Sequence, residues 1–221
     1  MVTKLSEEKE SKAKEGMKMM GLRDTTYYVA WIIFLAFLVG LMSLLLVVTL
    51  SVQVFKQSNL LLVFLMCFLY GMNLFGLSFG ITAWLQSKKS SATAASLIHL
   101  MSYYVAFAFS GYGSSTKTKY IVSLIPNCAM AFAVQHLFNC EFEGSGLSLD
   151  MASLEFQNFS FMNGILMLTF DFVLWGMIGL YFDQVAPRQY GSAKKWYFPV
   201  NQLFSSKKVD LLNEIKLGDE E

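Results

Sequence analysis

Residues 27–55 read YYVAWIIFLAFLVGLMSLLLVVTLSVQVF, with no charged side chain. At about 1.5 Å rise per residue, ~20 apolar residues in a helix cross the ~30 Å hydrocarbon core of a bilayer, so this stretch is long enough to span one. Asn59 to Gln86, Ser90 to Ser115 and Phe161 to Phe182 share the pattern: they hold no Lys, Arg or Glu, and Asp171 is their one acidic residue. A soluble domain would interleave such residues with charge at helical or strand period, whereas here they arrive in unbroken blocks. The sequence predicts an all-α polytopic membrane protein with four transmembrane helices, at about 27–55, 59–86, 90–115 and 161–182. Around them lie a cytosolic helix over 1–26 and a cytosolic linker or tail over 183–221, and an outer loop region over 116–160 completes the transmembrane domain of 27–182.

Backbone chemistry agrees with this division. An unsatisfied amide in lipid costs several kcal/mol, and Pro126, Pro187 and Pro199 all fall outside the four blocks. The formal net charge is +1, with lysines interleaved among carboxylates at both ends, so there is no basic patch of the kind a nucleic-acid backbone requires. Membrane lipid, and no nucleic acid, is the expected partner.

Loop charge sets the expected orientation. With an amino terminus in the cytosol and four crossings, fourteen of the seventeen Lys and Arg residues fall on the cytosolic side, as the positive-inside rule requires. The stretch from Cys140 to Ser160 carries Glu141, Glu143, Asp150 and Glu155 with no basic residue, which suits the outer side. Both termini are therefore expected in the cytosol, in a plasma or organelle membrane.

Ahead of the first block, Ser6 to Met20 reads as one short helix. Glu7, Glu8 and Glu10 complement the dipole of its first turns, Glu8–Lys12 and Glu10–Lys14 are favourable i,i+4 pairs, and Gly21 suits its C-cap. Ala13, Met17 and Met20 give it one narrow apolar stripe, which fits either an interfacial helix or a docking helix for a cytosolic partner. In the outer region, Ile121 to Phe138 is apolar yet short and interrupted at Pro126-Asn127, so it reads as a re-entrant or interfacial helical hairpin.

Few residues carry chemistry. Asp171 lies deep in the fourth crossing, where an unpaired carboxylate costs at least ~2.5 kcal/mol, and His99 lies in the third. Each reads either as a pathway-facing group or as a partner in an interhelical hydrogen bond to Ser, Thr, Tyr or Asn, and the second reading is the simpler. Small residues at Gly71, Gly76, Gly80, Gly176 and Gly179 suit close helix packing. Cys128 and Cys140 share the outer region and are candidates for a disulfide in an oxidising compartment. Asn158-Phe159-Ser160 fits the glycosylation acceptor pattern, immediately beside the fourth crossing. No phosphate loop, HExxH, GxSxG or Cys/His cluster occurs, so there is no catalytic, cofactor-binding or metal-binding motif to assign.

Two runs of sequence point to a family. Glu8-Lys9-Glu10, then Lys14-Glu15-Gly16-Met17-Lys18-Met19-Met20-Gly21-Leu22, then an aromatic-rich crossing with Trp31, closely resembles the segment after the second membrane helix of A-subfamily ABC transporters. Phe170-Asp171, followed by Tyr181, Pro187, Tyr190-Gly191 and Trp196-Tyr197-Phe198-Pro199, is similar to the segment leading from that family's last crossing to an ATPase domain; Lys195 stands where a Pro is common. The resemblance implies an ABC-2 type transmembrane domain, a partial chain covering helices three to six of one half. It also implies that Glu15, Met17, Lys18, Met19, Met20, Gly21 and Leu22 form a coupling helix, and that the outer hairpin dips into the membrane. The parent transporter would export lipid using ATP and Mg bound in nucleotide-binding domains not present here, with the other half-transporter as further partner. A truncated membrane protein acting as a scaffold or dimerisation partner is the alternative.

Overall fold

The computed structural model describes residues 1–11, 13–85, 87–111, 113–186 and 196, with the side chains of residues 14, 15, 18 and 53 outside that set. Residues 1–183 form one compact unit. The tail expected over 183–221, including Pro187, Tyr190, Gly191, Lys195 and the Tyr197-Phe198-Pro199 run, lies almost wholly outside the described residues.

Helices dominate. In chain order they are α1 (Val2–Glu10), α2 (Ala13–Met19), α3 (Asp24–Gln53), α4 (Leu60–Trp84), α5 (Lys88–Ala108), α6 (Thr116–Val122), α7 (Pro126–Phe142), α8 (Leu149–Ala152) and α9 (Phe161–Val185). Between α8 and α9 lies a hairpin of β1 (Glu155–Phe156) and β2 (Phe159–Ser160). Three helices are long and apolar enough to cross a membrane: Asp24–Val52, Leu60–Trp84 and Phe161–Val185. They coincide with three of the four uncharged blocks. The block at 90–115 yields α5, which ends at Ala108 and is diluted by Ser, Thr and His, so it falls outside that group.

Burial explains how the long helices are used. Around the junction of α3, α4, α7 and α9, the buried residues Phe55, Val63, Met66, Ala133, Leu137, Phe161 and Leu168 form one cluster. At the other end Leu5 of α1 packs with Tyr27, Tyr28, Leu35, Val39, Phe75 and Phe79. The remaining faces stay apolar and uncovered: Phe37 is 74% exposed, Leu61 71% and Phe107 77%. Faces this extensively apolar belong against hydrocarbon.

Glycine is required at two crossings. A Cβ on Gly76 of α4 would sit inside the backbone of Trp175 and Gly176 in α9, and one on Gly179 would strike the Gly76 carbonyl. Gly71 lets Val39 of α3 press against α4. Gly80 and Gly176, which the sequence also marks, have room for a methyl group.

Residues 116–160 hold α6, α7 and α8 and a tied loop. Pro126 begins α7 at a position where its missing N–H costs nothing, which separates α7 from α6. The connecting turn lies beside α9, where Trp175 Nε1 donates to the Leu124 carbonyl at 2.9 Å. Trp175 is fourteen residues into α9, about 21 Å along its axis from Phe161. At the opposite end of α7, Glu141 accepts from the Lys56 and Gln57 amides at 2.7 and 3.1 Å and from the Ser58 hydroxyl, closing down the α3–α4 loop.

Three expectations are corrected here. The amino-terminal segment is two helices, interrupted after Glu10, and not one helix over 6–20. Cys128 and Cys140 are free and sit on the same helix, about 18 Å apart along its axis, beyond the ~4.4–6.8 Å Cα separation a disulfide allows. Strand is also present: Gln157 and Asn158 both take positive φ, 51° and 63°, which matches the tight two-residue turn that favours a hairpin.

Candidate functional site

The polar groups collect at one end of the long helices and in the interior between them. At the end, α1 lies across the start of α3 and the ends of α4 and α9. Lys9 sends its ammonium to three acceptors: Asp183 Oδ1 of α9 at 2.7 Å, the Thr82 carbonyl of α4 at 2.9 Å and Thr82 Oγ1 at 3.2 Å. Tyr28 of α3 donates to Asp183 Oδ2 at 2.6 Å. The Asp183 side chain is only 2% exposed, so Lys9 supplies a buried carboxylate with its counter-charge and joins four helices at one point. Around it, Glu8 accepts from Tyr27 at 2.7 Å and Trp31 Nε1 at 3.3 Å, and Glu10 accepts from the Lys88 amide at 2.6 Å. Glu7 pairs with Lys88 at 3.3 Å; that lysine, helped by Lys4, holds the Glu7 carboxyl below the ordinary carboxylate range.

The residues expected to form a coupling helix divide by face. Gly21 has φ +94° and follows α2, letting the Leu22 amide turn back to the Met17 carbonyl at 3.0 Å, the bond of a Schellman C-cap. Met17 and Leu22 pack against the α1–α3–α4 cluster, whereas Met19 and Met20 are 86% and 81% exposed. The stripe expected through Ala13, Met17 and Met20 is thus split, with Met17 turned inward and Met20 outward. The side chains of Glu15 and Lys18 lie outside the described residues, as does Lys12.

On α5, the exposed His99 has the hydrogen bonds its sequence position suggests. Its Nε2 lies 3.3 Å from the Tyr70 hydroxyl and its Nδ1 3.0 Å from Asn127 Nδ2, while Tyr70 also donates to Asn127 Oδ1 at 2.8 Å. Asn127 further donates to Ser102 Oγ, and the Cys128 thiol donates to the Ser102 carbonyl at 3.4 Å. Asp171 of α9 differs: it is fully buried, and neither carboxyl oxygen finds a hydrogen-bond partner, so the interhelical bond expected for it is not made.

At the outer end, Asn158 is exposed and its amide donates to the Ser114 carbonyl at 3.3 Å, while Ser160 is buried with its Oγ accepting from the Asn163 amide at 3.2 Å. Among the described residues no three His, Cys, Asp or Glu side chains converge to hold a metal ion. Sequence reasoning missed Lys9, Tyr28, Thr82 and Asp183 as a group because their meeting is a tertiary event. His136 is buried, and its Nδ1 accepts from the Phe161 amide at 2.8 Å, which satisfies the first turn of α9.

A family of ABC-2 family transporter proteins matches residues 1–181. The chain belongs to that family. ATP-binding cassette sub-family A member 17 of Rattus norvegicus is 31% identical over 199 residues, covering 86% of this chain and 11% of the relative. The cholesterol transporter ABCA5 of Homo sapiens is 26% identical over 221 residues, covering 96% of this chain and 13% of the relative. ATP-binding cassette sub-family A member 2 of Homo sapiens is 26% identical over 212 residues, covering 89% and 8%. The chain thus spans about a tenth of the length of these relatives. It is an integral membrane ABC-2 domain of the kind found in A-subfamily ABC transporters.

Proposed function

We propose that this ABC-2 domain is one part of the membrane domain of an ATP-driven lipid transporter, forming a wall of the lipid path and receiving movement from a nucleotide-binding domain through α1 and α2. The observation that carries this reading is the placement of α2. It holds two large apolar side chains, Met19 and Met20, out to solvent beside α1, whose Lys9 is bonded to α4 and α9. A rigid body pressing on α2 would move the ends of these helices together, and methionines suit a contact that must re-pack during a cycle. ATP and Mg would act in the nucleotide-binding domain, and the chemistry they supply is phosphoryl transfer there. This chain's own residues bind, orient and relay. The cholesterol transporter among the relatives favours sterol or phospholipid as the cargo.

The same geometry supports four crossings with both termini cytosolic and a re-entrant α6–α7. Helix α5 begins at Lys88, bonded to α1, and runs about 31 Å, while Ser114 beyond its end meets Asn158 next to the start of α9. Its height therefore matches that of a crossing. The Leu124 contact with Trp175 supports a hairpin that descends well below the start of α9. Replacing Met19 and Met20 with Asp in the complete transporter tests the coupling assignment. ATP hydrolysis should persist while lipid transport falls at least tenfold, and transport that stays coupled to hydrolysis would reject it.

A further inference from the structure

Neither lipid passage nor ATPase coupling accounts for the group of acceptors around Asp171. Both of its carboxyl oxygens lack a hydrogen-bond partner in a side chain that is 0% exposed. Asn73 of α4, 1% exposed, reaches the same turn of α9: its Nδ2 donates to the carbonyls of Leu168 and Leu69, each at 2.9 Å. Both amide hydrogens are then committed, and Asn73 Oδ1 is left without a donor. Leu168 and Asp171 are three residues apart on a helix and share a face. Three buried acceptor oxygens without a donor thus belong to Asp171 and to a side chain bonded one turn before it on α9.

Such an arrangement is costly as drawn, because an uncompensated carboxylate in an apolar interior carries a penalty of at least several kcal/mol. Among the described residues the neighbouring ionisable groups supply no cation to relieve it. From α7, Cys128 commits its thiol hydrogen to Ser102. Tyr70 of α4 and His99 of α5 bond each other and Asn127, and Cys67 of α4 packs against the apolar cluster. Tyr28 of α3 and Lys9 of α1 engage Asp183, which lies about 18 Å further along α9. Full burial shuts both side chains off from bulk solvent, and a proton is the smallest ligand that supplies the missing hydrogen.

We propose that Asp171 and Asn73 form a proton-binding site, in which the Asp171 carboxylic acid holds a proton at neutral pH and donates it to Asn73 Oδ1. A single proton then removes the charge and satisfies one oxygen on each side chain. The bound proton belongs to the closed packing of α4 on α9. Separating those helices would hydrate the carboxyl group and favour its ionised form, so proton release accompanies opening.

The test is infrared spectroscopy of the 221-residue chain in lipid nanodiscs at pH 7, with carbon-13 label on aspartate. The expected result is a protonated-carboxyl C=O band in the wild type that is absent from Asp171→Asn and moves to higher frequency in Asn73→Leu, where the acid loses its acceptor. The label reads the band in the wild type alone, so this part does not depend on Asp171→Asn folding. Asn73→Ala, which removes atoms without adding bulk, repeats the shift if Asn73→Leu does not fold. A wild type with only carboxylate bands overturns the site, and an acid band that neither Asn73 variant moves overturns the pairing.

Discussion

Removing the Lys9 ammonium should reverse the sign of a second substitution, at Asp183. At 2.7 Å and an effective dielectric of ~20 the attraction between the two charges is about 6 kcal/mol, and desolvation of the buried carboxylate offsets several of these. Lys9→Met leaves that carboxylate without its ammonium and also breaks both bonds to Thr82, so a loss of about 3–5 kcal/mol is expected. Asp183→Asn in the wild type should cost less, about 1–2 kcal/mol, because Lys9 keeps Thr82 and its side chain is 20% exposed. In the Lys9→Met background the same Asp183→Asn change removes a buried carboxylate that has lost its Lys9 ammonium, and should recover about 1–3 kcal/mol. The assay is reversible unfolding in mixed micelles of wild type, both single variants and the double variant, analysed as a double-mutant cycle. If Asp183→Asn destabilises Lys9→Met as much as it destabilises the wild type, with coupling under about 0.5 kcal/mol, the buried-pair reasoning is refuted.

Three further outcomes are expected. Met17→Asp should destabilise the chain by roughly 2–4 kcal/mol through burial of a charge against Tyr27 and Leu22, whereas Met19→Asp and Met20→Asp should stay within ~0.5 kcal/mol; thermal unfolding in detergent separates the two. Gly76→Leu and Gly179→Leu should part α4 from α9 and lower the yield of folded protein sharply, while Gly80→Ala should be tolerated, as size-exclusion profiles would report. Glu141 gives a pH dependence: desolvation raises its carboxyl, but the Ser58 hydroxyl and the Gln57 and Lys56 amides outweigh it and hold it below the ordinary value of 4.5. A depressed carboxyl contributes stability that is present above that value and lost as pH falls through its folded one. Acid unfolding of the wild type should therefore include a component below about pH 4.5 that Glu141→Gln lacks.

The legible parts of this protein are those governed by local chemistry. Helices α3, α4 and α9 follow from uncharged length, the α6–α7 break from Pro126, and the end of α2 from Gly21. Met17 and Met20 share one stripe in the sequence, but their division between inward and outward faces depends on how α1 seats on α3. The interruption after Glu10 was not legible, because Lys9 is held by Asp183, 174 residues away in sequence. Asp171 illustrates the converse: its depth could be read directly, yet that its carboxyl oxygens go without a partner depends on how the neighbouring helices pack. Hairpin β1–β2 was missed because Gln157 and Asn158 turn it without glycine.

The central claim, that this domain works within a larger ATP-driven transporter, is tested most directly by native mass. Source membranes blotted with an antibody against residues 203–221 should give a band several times heavier than the 24.9 kDa of this chain. A band at 24.9 kDa, with no nucleotide-binding protein retained on purification in mild detergent, would contradict it.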